Sequence, residues 1–232
     1  MENPLDGLVW YVVFLFSTSL HEASHAWAAL RGGDPTAYLG GQVSLDPRPH
    51  IRREPFGMVF LPLFTAVTSG WPIGFASAPY DPVWAMNHPR RAAWMSLAGP
   101  AANLLLVLVA SAVIQGGIAA GFFAEPESVS GSAVVVATSG GVASAGAFLV
   151  SAFFTLNLIL FLFNLMPLPP LDGASVAGLV LPEGAARFVR GLAATPGFSL
   201  IGLFVAWSLF PHLADVLFDV IVDLLHPGTY YR

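Results

Sequence analysis

Long apolar stretches dominate the chain, and polar residues gather in the shorter segments between them. A helix needs about 20 largely apolar residues to cross the hydrocarbon of a bilayer. Four stretches meet that length: residues 7–30, 92–123, 143–166 and 198–225, the last interrupted by Pro211. Residues 56–67 are apolar but shorter and contain Pro62, which predicts a re-entrant or interfacial segment rather than a crossing. Residues 35–45 hold two strand-like pieces around Gly40-Gly41, the pattern of a β-hairpin. Residues 71–80 read as a further extended piece, and residues 124–142, rich in Ser, Gly and Val, as a mobile loop. The expected fold is an all-α polytopic membrane protein in one domain, residues 1–232. It has about four spans, a re-entrant or interfacial segment and a small membrane-associated β-hairpin.

Composition agrees with the pattern. Of 232 residues, 56% are hydrophobic and 10% charged, against about 25% charged in an ordinary soluble domain. Mean hydropathy is +0.71. A net charge of −5 argues against a nucleic-acid partner. With no cysteine, disulfides and thiolate metal sites are excluded. The start, MENPLDG, lacks the basic region of a cleaved signal peptide, so the first apolar stretch is expected to be retained.

Arginine placement orients the spans. Arg31, Arg48, Arg52, Arg53, Arg90 and Arg91 fall between the first and second stretches, and Arg187 and Arg190 between the third and fourth. With four crossings these residues share one side. The 124–142 loop on the other side carries Glu125 and Glu127 and no arginine. Positive charge stays in the cytoplasm, so both termini are expected outside. A full crossing by residues 56–67 would split Arg52 and Arg53 from Arg90 and Arg91.

The chemistry begins inside the first stretch, at SLHEASH (19–25). Ionisable groups at membrane depth mark function. His21 and His25 are four apart, which on a helix puts both imidazoles on one face. Two such nitrogens can share a Zn²⁺, and Glu22 is then free to act as a base: this is the HExxH arrangement of zinc proteases. A catalytic zinc wants a third protein ligand. Glu54, Asp81, His50 and His88 lie in the arginine-rich loops and read as solvated residues. Asp172 stands out, because Pro167, Pro169 and Pro170 break the helix just before it, and open backbone at that depth is tolerated only where it lines protein or water. By helix rise, His25 lies about 9 Å and His21 about 15 Å inside the Arg31 boundary. Asp172 ends the third stretch on the same side, so charge bias alone brings the three to one leaflet.

HEASH (21–25) together with FNLMPLPPLDG (163–173) resembles the site-2 protease family of intramembrane zinc metalloproteases. LAGPAANLLL (97–106) is similar to that family's G-P-x-x-N element, giving Gly99, Pro100 and Asn103, and GGDPTAYLGGQVSLDPRPHI is similar to its stretch after HExxH. The resemblance covers most of residues 8–180, with residues 198–225 as a further C-terminal span. It implies a zinc-dependent endopeptidase that hydrolyses peptide bonds in or near transmembrane segments. Its implied substrates are single-span membrane proteins, and its implied home is the cytoplasmic membrane of a bacterium or archaeon, with the site near the cytoplasmic face. It further implies one Zn²⁺ held by His21, His25 and Asp172, with Glu22 activating water. Asn164 would hydrogen-bond the oxyanion or the substrate backbone, and Gly99 and Pro100 would permit close helix packing. The expected form is the minimal membrane core, without the PDZ or nucleotide-sensing domain of many relatives. Residues 75–79 carry no basic residue where relatives often have one.

Three other readings compete. A non-catalytic zinc-binding membrane scaffold has no need of Glu22. A metal transporter needs ligands along a route through the bilayer rather than near one face. A membrane protease of another family would take a downstream Glu as third ligand. An extended substrate is expected to add as a strand to the 35–45 hairpin.

Overall fold

A computed structural model describes residues 4–193, 195–229 and 231. The chain is mostly helical. The long elements are α1 (Pro4–Gly32), α6 (Pro89–Ala119), α7 (Val142–Asn164) and α10 (Pro196–Leu225). Shorter helices join them: α2 (Thr36–Leu39), α3 (Pro47–Arg53), α4 (Leu61–Ser69) and α5 (Pro82–Asn87) follow α1, while α8 (Asp172–Val176) and α9 (Glu183–Ala193) follow α7. β1 (Phe123–Ala124) and β2 (Val136–Ala137) pair antiparallel, Phe123 opposite Ala137.

Among the described residues, three helical segments are long and apolar enough to cross a membrane: Pro89–Ala119, Val142–Asn164 and Gly197–Ala214. α1 has the length, 29 residues, but His21, Glu22 and His25 dilute its apolar character. α10 continues through Pro211 rather than breaking there. Residues 56–60 form a π-helical turn that runs into α4. The combined segment, residues 56–69, is about 21 Å long, short of the roughly 30 Å hydrocarbon. Gly57, Met58, Pro62, Thr65 and Ala66 are buried on one side, while Phe56, Phe60, Leu63, Phe64 and Val67 are exposed on the other. The segment is thus a short apolar helix with one packed and one bare face.

α1, α6 and α7 form the body. Trp10, Val13 and Phe14 of α1 pack on Ala152 and Leu156 of α7. Val107, Ala110 and Ile114 of α6 meet Ala147, Phe154 and Leu158 of α7. Val134 and Val135 join this second cluster, fully buried or nearly so. Their main-chain N–H groups donate to Ser151 Oγ at 3.1 and 3.2 Å. The expectation of a mobile 124–142 loop is therefore corrected in its middle: most of the segment is exposed and irregular, as a loop is, but two valines and a hydroxyl that the Ser/Gly content conceals anchor it at residues 134–135.

The 35–45 hairpin is also corrected. Residues 36–39 are helical, and the N–H groups of Leu39, Gly40 and Gln42 donate to the carbonyls of Pro35, Thr36 and Ala37. A two-residue type I′ hairpin turn needs positive φ at both central residues. Here Gly40 has φ −76° and only Gly41, at +75°, is left-handed, the way a helical turn is closed. Asp34, just before it, is 2% exposed. Its carboxylate accepts from the Thr36 N–H at 3.0 Å, the Thr36 hydroxyl at 2.5 Å and the Asp81 N–H at 2.8 Å. One buried acid thus ties the end of α1 to the start of α5. Residues 72–80 form neither helix nor strand; Phe75 N–H donates to the Gly57 carbonyl at 3.0 Å and Ile73 N–H to Thr65 Oγ1 at 2.7 Å.

Candidate active site

No glycine or proline falls between Leu8 and Arg31, so nothing in the local sequence breaks α1 as it carries the HEASH residues. The two imidazoles meet edge to face, centroids 4.6 Å apart, with their Nε2 atoms 2.9 Å apart. Asp172 is the first residue of α8, delivered by the irregular turn 165–171 that follows α7. That turn is held by Leu168 N–H to Met166 O, 2.8 Å, and Leu171 N–H to Leu168 O, 2.9 Å. A side chain at Gly173 would overlap the Leu165 and Met166 carbonyls, so the chain there can take only glycine. Asp172 Oδ2 lies 3.2 Å from Nε2 of both His21 and His25. The ligand atoms of the three residues all lie within 4.8 Å of one another, and this is the metal-capable cluster among the described residues.

The donor chemistry asks for a cation. Nδ1 of His25 faces the Met95 carbonyl at 2.8 Å, and Nδ1 of His21 faces Oδ1 of Asn103 at 2.6 Å. Both partners are acceptors, so both Nδ1 atoms carry the proton, and in the neutral rings both Nε2 atoms present lone pairs to the same point as the Asp172 carboxylate. Ligands of a tetrahedral zinc, with bonds of roughly 2.0–2.1 Å, stand about 3.3 Å apart; the observed edges of 2.9, 3.2 and 3.2 Å fit that ion. Three protein ligands leave a fourth position for water, as in catalytic zinc sites. Gly99 of α6 walls the cluster: a side chain there would enter the space between the imidazoles.

Glu22 is 6% exposed. Its carboxylate takes no hydrogen bond and no ion pair among the described residues. Asn164, at the end of α7, donates from Nδ2 to the Leu160 carbonyl of its own helix at 2.9 Å and makes no hydrogen bond to the His21, His25 and Asp172 trio. The loop candidates have other employment. His50 donates from Nε2 to the Ser44 carbonyl at 3.0 Å and His88 from Nδ1 to the Trp84 carbonyl at 3.1 Å. Glu54 accepts from Ser77 Oγ at 2.6 Å, and Asp81 caps α5 through the Val83 N–H at 2.7 Å.

Sequence reasoning missed two parts of this surround. Asn103 reads in the sequence only as part of a motif, and it is the hydrogen-bond partner of His21. Asn157 of α7, 2.9 Å from Asn103, belongs to no motif; its one signal is a lone amide in the apolar run AFFTLNLILFLF.

Comparison with known proteins reaches the same region. The family described as Peptidase family M50 matches residues 9–207. "Putative zinc metalloprotease YwhC" of Bacillus subtilis is 30% identical over 242 residues, covering 97% of this chain and 96% of the relative. "Putative zinc metalloprotease Rip2" of Mycobacterium tuberculosis is 34% identical over 213 residues, covering 90% of this chain and 69% of the relative. No solved structure matches significantly.

Proposed function

The chain belongs to peptidase family M50 and is a zinc metalloendopeptidase of the membrane, and from that premise we propose that it cuts single-span membrane proteins in or near their transmembrane segments. The observation that carries this reading is where the ligand set is built. His21 and His25 sit on α1, in continuation of the apolar run from Leu8 to Phe16, and Asp172 follows directly on the apolar α7. A site made from membrane helices favours a substrate that is itself in the membrane.

His21, His25 and Asp172 hold the ion in this reading. When bound, zinc acidifies water and polarises a carbonyl oxygen. Glu22, buried and without a competing partner, accepts the proton of the attacking water and returns it to the leaving nitrogen. Asn164 turns its free amide oxygen or a reoriented amide toward the substrate main chain. Gly99 keeps the α6 wall bare so that the ligand atoms can converge. The burial of all three first-helix residues, 6–7% exposed, excludes bulk water from the reacting groups.

In the proposed topology α1, α6, α7 and α10 cross the bilayer, residues 56–69 lie at its interface, and both termini are outside. The arginine bias supports this orientation, which puts the site near the cytoplasmic face. The bare apolar surface of α10, with Leu200, Ile201, Phe204, Trp207 and Leu213 exposed, supports contact with lipid.

The test is cleavage-site mapping. Membranes of cells expressing wild type are compared with those expressing Glu22→Gln, and proteins that accumulate in the variant are reconstituted with purified enzyme. Mass spectrometry should place the new ends within or beside an apolar span. Ends found only in soluble regions far from any span would overturn the reading.

A further inference from the structure

A line of hydrogen bonds crosses three helices and ends on His21. Ser17 and His21 lie on α1, Asn103 on α6 and Asn157 on α7; Ser17, Asn103 and Asn157 are all 0% exposed. Nδ2 of Asn157 donates to the Phe153 carbonyl at 2.8 Å and to Ser17 Oγ at 2.9 Å. Oδ1 of Asn157 accepts from Nδ2 of Asn103 at 2.9 Å. Oδ1 of Asn103 in turn accepts from Nδ1 of His21 at 2.6 Å.

The direction of each bond is dictated from the far end. An asparagine amide has a donor end and an acceptor end of nearly equal shape, so its partners decide which way it points. The Phe153 carbonyl can only accept. Asn157 must turn its nitrogen there, which leaves its oxygen toward Asn103. Asn103 must then give its nitrogen to Asn157 and its oxygen to His21. His21 is left with its proton on Nδ1 and its lone pair on Nε2, facing His25 and Asp172. A reversed Asn103 would move the proton to Nε2, between the ligand atoms. His25 needs no such line, because a main-chain carbonyl, that of Met95, holds its Nδ1 proton directly.

We infer that Asn157 is a positioning residue of the metal centre: through Asn103 it holds His21 in the tautomer that binds a cation. The inference rests on His21 being a ligand. Ser17 satisfies the remaining N–H of Asn157 but does not choose its orientation, since a hydroxyl can donate or accept. Outer partners of ligating histidines typically govern metal affinity by about 10–100-fold.

The test uses the full chain in detergent, with zinc affinity read by chelator competition and the histidine ring protons by ¹⁵N-edited NMR of the zinc-loaded protein. Asn157→Leu should lower zinc affinity about 10–100-fold and shift the His21 Nδ1 proton, leaving that of His25 in place. Ser17→Ala should change neither. A folded Asn157→Leu chain with wild-type zinc affinity and an unmoved His21 resonance would overturn the inference. If that variant does not fold, wild type decides alone: the Asn103 side-chain amide protons must show stronger contact with the Asn157 side chain than with the His21 Nδ1 proton, and the reverse order overturns the assignment. Neither readout involves cleavage, so this inference and the protease reading can fail separately.

Discussion

A methyl group on Gly99 would lie 2.6 Å from Nε2 of His21 and still closer to Nε2 of His25. The glycine of the G-P-x-x-N element therefore does more than let helices approach. It keeps α6 from filling the space that the ligand atoms enclose.

Gly99→Ala should consequently empty the site rather than merely loosen the helix pair. Zinc measured in the purified variant is expected to fall to background. Overpacking typically costs about 1–3 kcal/mol, so the fold should survive and the metal should not. A Gly99→Ala chain with one zinc and normal turnover would refute this role.

Glu22 and Asp172 should separate chemistry from binding. Glu22→Gln keeps volume and removes the base; turnover should drop about 10²–10⁴-fold with zinc retained. Asp172→Asn removes a charged ligand from the trio, so zinc affinity itself should fall, read by chelator competition. Equal zinc loss in both variants would mean that Glu22 is structural.

The last long helix should influence Asp172, the candidate third ligand. A side chain at Gly202 of α10 would overlap the Pro169 carbonyl, in the turn that presents Asp172, and Ala206 packs there with Met166 and Leu171. Gly202→Ala is expected to lower the melting temperature and the zinc affinity together. Gly197→Ala, on the same helix with open space at the position, should do neither.

Asp34 gives a pH signature independent of the metal. Burial alone would raise its carboxyl, but hydrogen bonds from Thr36 and from the Asp81 N–H outweigh it and hold the group below the usual carboxylate range. The folded value is thus below the unfolded value, about 3.9. Its contribution to stability is full above that pH and is lost as pH falls through the folded value. Thermal melts should show Asp34→Asn destabilised at pH 7, with the gap to wild type closing in acid below about pH 4. A gap unchanged down to pH 2 would reject the assignment.

The native chain has no cysteine, so single introduced thiols report sidedness cleanly. Arg48→Cys should react with a membrane-impermeant reagent only after the cytoplasmic face is opened. Ser132→Cys, in the β1–β2 segment, should react from outside. The reverse pattern would invert the proposed topology.

Helices were more legible than the segments between them. The runs around α6, α7 and α10 are long and apolar, and little else satisfies their backbone in lipid. Pro211 misled because a proline inside a long helix bends or interrupts hydrogen bonding without always ending the element. The Gly40-Gly41 pair misled because its reading as a turn depends on φ at both residues, and Asp34 with Thr36 had already committed the chain to a helical turn. The 124–142 segment read as loose because its anchors, Val134, Val135 and Ser151, become neighbours only when α6 and α7 pack.

The spacing of His21, Glu22 and His25, and the prolines before Asp172, could be read directly, because helix periodicity and proline sterics are properties of neighbouring residues. Which acid or histidine would join the pair was not local in that sense. The structure takes Asp172 and leaves Glu54, His50, Asp81 and His88 elsewhere, because α7 returns beside α1 and the following turn ends at the imidazoles. The bare wall at Gly99 and the amide line from Asn157 belong wholly to tertiary structure: each depends on atoms from separate helices meeting within hydrogen-bond or van der Waals distance, which no single stretch of chain encodes.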